Sequence, residues 1–296
     1  MKDTRRLVFL VSLVGVLSVS VAVGTVAAQS APDCLTVTYN GDGSEANPYE
    51  VGDVDQLQYI NEQGLSANYV QVSDIDASDT SEWNGGDGFD PIGNFTIPFK
   101  GTFDGADHTI SDLYIDRGST RHVGLFGVAS AGHLENVGLE DVNITGSVAV
   151  GGLVGLNRGT VRESYATGSV NASRFGAGGL VGNSVGTVTE SHWDTESTGQ
   201  FTSAGGATGL TTSEMTGDAA ANNMRGFDFT STWETVDGDY PKLSWQSDGG
   251  TDGSSDDGES GSSDGAEDEG LPGFTVVTTV LAVLTVAAAV RRREEG

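Results

Sequence analysis

The chain has 296 residues, with 42 acidic against 14 basic side chains, a formal charge of −28, 44 glycines and one cysteine. Such an acidic balance argues against nucleic acid as a partner, because phosphate binding needs clustered Lys and Arg. A lone cysteine excludes an internal disulfide, so a folded domain must hold together by packing.

In chain order, Lys2, Arg5 and Arg6 precede an apolar run over residues 7–23, and Val26-Ala27-Ala28 supplies the small residues of a cleavage site. Residues 1–28 thus read as an export signal, through either the twin-arginine or the general route. Cys34 lies about ten residues too late for a lipid-modified cysteine and reads as a free or intermolecularly paired thiol. Asp53, followed by Val54, Leu57 and Ile60, predicts a short capped helix that lids the first coil of the domain. Tyr69 to Asp76 alternates as a strand.

A repeat then begins. Gly124-Leu125-Phe126-Gly127, Gly152-Leu153-Val154-Gly155 and Gly179-Leu180-Val181-Gly182 state one phrase three times, the leucines 28 and 27 residues apart; Leu134, Val161 and Val188 follow at intervals of 27. A fixed period means one unit stacked on copies of itself. These glycine-dense runs lack helical spacing, so each unit reads as two or three short strands separated by glycine turns. Identical strands pair in parallel and in register, with Leu125 over Leu153 over Leu180. The expected fold is an all-β, parallel β-helix. Residues 226–243, with Trp233, Tyr240 and nearby Trp245, are expected to cover its far end.

The phrase Gly-Gly-Leu-Val-Gly-x-Asn, at 151–157 and one residue shorter at 178–183, resembles the GLUG motif of bacterial and archaeal surface proteins. The run 99–113 resembles the strand pair that leads into such repeats, and 226–243 their closing segment, so the likeness covers roughly residues 35–246. It implies a right-handed β-helix ectodomain over 29–246 and carries no settled activity.

Residues 247–270 are almost wholly Ser, Gly, Thr, Asp and Glu, and their nine acids face no base. Such a stretch cannot bury a core and reads as an extended stalk. Residues 274–290 carry no charge and are followed by Arg291, Arg292 and Arg293. At about 26 Å as a helix they approach the lower limit for crossing a bilayer, with the arginines on the cytoplasmic side. Pro272, Gly273 and Phe274 before that run resemble the PGF-CTERM sorting signal, so 271–296 is similar to a segment that an archaeosortase removes, leaving a membrane lipid anchor. The alternative is a permanent transmembrane helix.

Residues 29–270 hold 39 acids against 8 bases, and the chain has three lysines in all. Very salty water, where screening acts over about 3 Å at 1 M ionic strength, tames that self-repulsion, so the composition reads as that of a halophilic archaeon. An acidic secreted protein of ordinary medium is the alternative.

Catalysis on such a scaffold would need a matched acid and base. Asp104, Asp107, His108 and Asp112, with Asp74 and Asp76 nearby, are the densest candidates, yet acidic clusters arise easily in this composition. No catalytic residue, cofactor or metal ligand is assigned: His108, His122, His133 and His192 lack ligand spacing, and His192 takes the place that Tyr165 has one repeat earlier. Loops at 40–45 and Asp74, Asp76 and Asp79 offer oxygens to calcium or are simply solvated acidic turns. Asn94, Asn143 and Asn171 each begin a glycosylation sequon. The sequence therefore reads as an exported, membrane-anchored, non-enzymatic surface protein, in adhesion or envelope structure, with surface-layer proteins or extracellular glycans as partners. A carbohydrate-active enzyme or a glycan- or metal-binding module on the same scaffold stays open.

Overall fold

The computed structural model describes residues 37–106 and 108–243. The export signal, Cys34, Asp107, Trp245, the acidic stretch and Pro272-Gly273-Phe274 with the run behind it lie outside these residues. Among the described residues no helix is long and apolar enough to cross a membrane.

The chain winds as a parallel β-solenoid whose three full turns run from Thr102–Asp104 to Phe126–Ala129, from His133–Glu135 to Val154–Asn157 and from Thr160–Arg162 to Val181–Ser184. Each turn contributes to three faces. On the first, Tyr49, Tyr69, Phe103, Leu134, Val161 and Val188 form one register ladder along the molecule. On the second, Ile75, Ile110, Leu139, Ala166 and Trp193 do the same. On the third, Phe126, Val154 and Val181 pair, and Leu125, Leu153 and Leu180 stand one residue before them. Leu153 donates its amide to the Leu180 carbonyl at 3.0 Å, and all three leucines are fully buried. The ladder expected from the 27-residue period is therefore present. No single turn can hide its own aliphatic side chains, so each such residue contributes about 1.5–3 kcal/mol only because a neighbouring turn covers it.

Two local expectations need correction. The strand of the second face is long, Gly138–Gly151 and Tyr165–Gly178, and the Gly-Leu phrase is not a strand but the corner after it. Tyr69 to Asp76 likewise splits into Tyr69–Gln71 and Ile75–Asp76, on different faces. The corners themselves are mostly not made by glycine. Asn136, Glu163 and Glu190, again 27 residues apart, hold positive φ of 55°, 47° and 49°, and His122, Ala149 and Gly176 form a second such series at 60°, 55° and 81°. Left-handed backbone costs an ordinary residue about 1–2 kcal/mol; here the stack over-determines it. The buried Ser164 hydroxyl accepts from Val137 N at 3.2 Å and donates to Arg162 O at 2.8 Å, and Ser191 repeats the pattern one turn on. Asn157, the last residue of the Gly-Gly-Leu-Val-Gly-x-Asn phrase, is buried and ties Ser184, Thr187 and Gly159 together.

The motif glycines serve close approach. A Cβ on Gly155 would lie 2.4 Å from the carbonyl carbon of His122, and one on Gly182 would lie 2.5 Å from that of Ala149. Each glycine sits against the left-handed corner of the turn before it, where only a bare backbone fits.

The front is lidded as expected. Helix Val54–Gln63 starts at Asp53, whose carboxylate accepts the Gln56 amide at 2.7 Å, and Leu57 and Ile60 are fully buried in the core. The far end differs from expectation. There the Trp193 ring is held between Gly179 and Gly209, its Nε1 donates to Gln200 O at 2.8 Å, and Thr208–Leu210 adds a last strand. The expected cap, Trp233 and Tyr240, instead packs on the side of the solenoid. Together with Met215, Met224 and Phe227 it covers Tyr165, which points outward from the second face. The reason is local: with Gly138 in place of a ring one turn earlier, Tyr165 leaves an apolar projection on the flank that only a returning segment can bury.

Candidate functional site

The most distinctive recess among the described residues lies where the corner Arg121-His122 meets the loop 93–98. Ile92 and Phe99 are stitched to Phe126 and Ala129 of the first full turn, so the residues between them project as a tight loop. Asn94 shapes it: its amide donates to Ile97 O, and its Oδ1 accepts the amides of Thr96 and Ile97, each at 2.9 Å. Gly93 at the base donates to Asn61 Oδ1 at 2.9 Å. The loop thus presents Phe95 and Ile97 with 61% and 60% of their surface open. Beside it Asn94, Phe95, Thr96, Arg121 and His122 line a recess of about 500 Å³.

Its chemistry runs against the rest of the chain. The His122 ring stacks on Phe95 with centroids 5.7 Å apart, and the Arg158 guanidinium carbon stands 5.0 Å from the same ring centroid. Burial lowers the His122 pKa, and the charges of Arg121 and Arg158 lower it further, so the imidazole is neutral at pH 7 and acts as a second aromatic surface. Arg117, Arg162 and Lys242 all have carboxylate partners. Among the described residues neither Arg121 nor Arg158 has one within ion-pair distance. Sequence reasoning missed this site. Its signal was the scarcity of bases in an acidic chain, which makes any two that converge informative.

The acidic cluster expected from sequence is dispersed into turn caps. Asp104 accepts the Ala106 amide at 2.8 Å and Asn136 Nδ2 at 2.9 Å on the first face. Asp74 accepts the Thr109 amide at 3.0 Å and faces His108 Nδ1 at 3.4 Å, whereas Asp76 accepts the Ser78 amide and Asp112 occupies a left-handed corner at φ 57°. In the loop 40–45, Asp42 accepts the Ser44 amide at 3.0 Å and Asn40 donates to Glu50. Among the described residues no three His, Cys, Asp or Glu converge as a cation site would require. His192 is buried, with Nε2 3.0 Å from Arg225 O, in register with Tyr165: a packing residue.

The three sequon asparagines are all exposed. Asn143 lies in mid-strand, paired in register with Ser169. Asn171 donates Nδ2 to Ser169 Oγ at 2.9 Å, and Asn94 sits in the recess with its oxygen committed to the loop.

No protein-family model matches the chain. It is 44% identical over 147 residues to Halomucin of Haloquadratum walsbyi, a match covering 47% of this chain and 2% of that protein. Over 166 residues it is 30% identical to a protein of Evansella cellulosilytica provisionally described as a Gly-rich membrane protein, covering 54% of this chain and 19% of the relative. The chain thus spans a small part of the curated relatives it matches. A solved structure from Bacteroides ovatus, provisionally described as an immunoglobulin A1 protease, aligns with 69% of this chain and 94% of its own at 15% identity and a TM-score of 0.40, and carries no argument.

Proposed function

We propose that the chain is an exported, membrane-anchored, non-enzymatic protein of a haloarchaeal cell surface, whose solenoid serves adhesion or the structure of the envelope or surface layer. The observation that carries this reading is a parallel stack of turns in a chain similar to Halomucin and to a Gly-rich membrane protein. The resemblances to the GLUG motif and to the PGF-CTERM signal at Pro272, Gly273 and Phe274 support it, and with them cleavage after Ala28, processing by an archaeosortase-type enzyme and a lipid anchor.

The test is made on cells of a haloarchaeon producing the full chain. Protease added to intact cells is expected to release the solenoid, and mass spectrometry of the mature protein to find neither residues 1–28 nor Arg291 to Arg293. A protease-inaccessible chain in the cytosol overturns the reading; a surface chain that retains Arg291 replaces the lipid anchor with a transmembrane one. Turnover of an extracellular polysaccharide by the purified protein would replace the non-enzymatic part.

Salt dependence arises from charge. With 39 acids against 8 bases in residues 29–270, self-repulsion falls as ions screen it. The melting temperature is expected to rise by several degrees between about 0.2 M and 3 M salt, given that 1 kcal/mol moves it by about 2–4 °C at this size. Equal melting in both would remove the halophilic part of the reading.

A further inference from the structure

The recess between the 93–98 loop and the Arg121-His122 corner has features of a ligand site, carried by side chains that project from the stacked backbone. Phe95 is exposed although it is the largest side chain of a loop whose backbone is fixed on both sides, and Arg121 and Arg158 are exposed and without carboxylate partners among the described residues. Arg174 and Arg225 also lack one among the described residues, so what sets Arg121 and Arg158 apart is that both act on His122 beside the Phe95 ring. The guanidiniums of Arg158, over the Phe95 ring, and of Arg121, lining the recess, supply N–H donors whose fork suits a planar carboxylate. The ring and the neutral imidazole against it offer flat apolar surfaces at the same place, and the Asn94 amide and Thr96 hydroxyl add polar groups on the rim. About 500 Å³ lies within the usual range for small-ligand pockets and suits one or two sugar rings.

We propose that this recess binds an acidic saccharide, the carboxylate of a uronic-acid ring lying on Arg121 and Arg158 and the ring's apolar face lying on Phe95. The inference deepens the surface-display reading and rests on it for access to such a ligand. Long-range attraction contributes little here, because the whole chain repels anions and strong salt screens charges beyond about 3 Å. Selectivity comes instead from contact: the anion must fit the fork while its ring meets the aromatic surface. A bare inorganic anion gains only the first, and a neutral sugar only the second.

Calorimetric titration of the purified full-length protein in about 2 M salt tests this, with digalacturonic acid, its neutral counterpart digalactose, sodium sulfate and a tetra-aspartate peptide as probes. Saturable binding of digalacturonic acid is expected, with digalactose, sulfate and the peptide each at least about tenfold weaker. Arg121→Gln and Phe95→Ala are each expected to weaken binding by about tenfold or more, as a charge-assisted bond and a stacked ring would; both residues are exposed, so the variants keep the wild-type melting temperature. Digalacturonic acid binding that survives both substitutions, or sulfate or the peptide binding as well as digalacturonic acid, overturns the proposal. Absence of digalacturonic acid binding also overturns it. Since no cells are involved, these outcomes are separate from a failure of surface location.

Discussion

Gly155→Ala is expected to destabilise the solenoid by about 3 kcal/mol, at the upper end of what overpacking costs. The added methyl would lie 2.4 Å from the His122 carbonyl carbon and 2.5 Å from Val123 N, backbone atoms of a corner already held at positive φ. Neither side can yield without pulling apart the pairing of Phe126–Ala129 with Val154–Asn157. Gly182→Ala should behave alike one turn on, against Ala149. Gly118→Ala is the control: a Cβ there meets nothing within 4 Å, so its effect should stay near zero. Denaturant unfolding followed by tryptophan fluorescence gives the three values. If Gly155→Ala and Gly118→Ala cost the same, the glycines of the repeated phrase act only through chain flexibility. Because the His122 corner also forms one wall of the recess, Gly155→Ala should weaken saccharide binding even where the protein remains folded.

That distinction shows what the sequence disclosed and what it concealed. The period of 27 was legible because stacking forces equivalent residues into register, so Leu125, Leu153 and Leu180 could be superposed from spacing alone. The job of the glycines beside them was not. Glycine is compatible both with positive φ and with close approach, and only in the folded stack is it evident that Asn136, Glu163 and Glu190 take the left-handed corners while Gly155 and Gly182 make room. Ser164 and Ser191 were equally silent, since a serine in an acidic, glycine-rich chain looks solvated until the turn above is seen to bury it. The front helix was readable because Asp53 is a local signal. The side-packed segment was not, because its partner Tyr165 is about 60 residues earlier and faces outward. The recess escaped for a related reason: Phe95, Arg121 and Arg158 come from three successive turns, and their meeting depends on how those turns are stacked.

Tyr165→Ala should cost about 3–5 kcal/mol and release the C-terminal segment from the flank while the aliphatic ladders persist. Its ring is fully buried and lies 5.9 Å from Trp233, 6.1 Å from Phe227 and 6.5 Å from Tyr240 between centroids, so it is the point on the solenoid that all three rings share. Tyr165→Phe isolates the hydroxyl, which donates to Glu140 Oε1 at 2.6 Å. Burial raises the Glu140 pKa above its ordinary value, and the Tyr165 bond opposes that rise, so the ionised carboxylate depends on this donor. Removing it should cost about 1–3 kcal/mol at neutral pH. A raised carboxyl pKa means that the fold binds a proton more tightly than the unfolded chain does. The wild type therefore gains stability as pH falls from the folded pKa of Glu140 towards the ordinary value of 4.5, and the Tyr165→Phe penalty should shrink over the same window as the carboxylate is neutralised. Asp194 works in the opposite sense. Its burial pushes the pKa up, but bonds from Thr212, Tyr240 and the amides of Glu196 and Ser197 outweigh that and hold it below 3.8, so its contribution is present above that value and lost as pH falls further. Attachment of the segment should accordingly be firmest in mildly acidic solution and fail in stronger acid, as read by limited proteolysis across residues 211–243. A Tyr165→Phe penalty that is the same at neutral pH and at pH 4.5 would place the hydroxyl's role in packing and not in supporting the Glu140 charge.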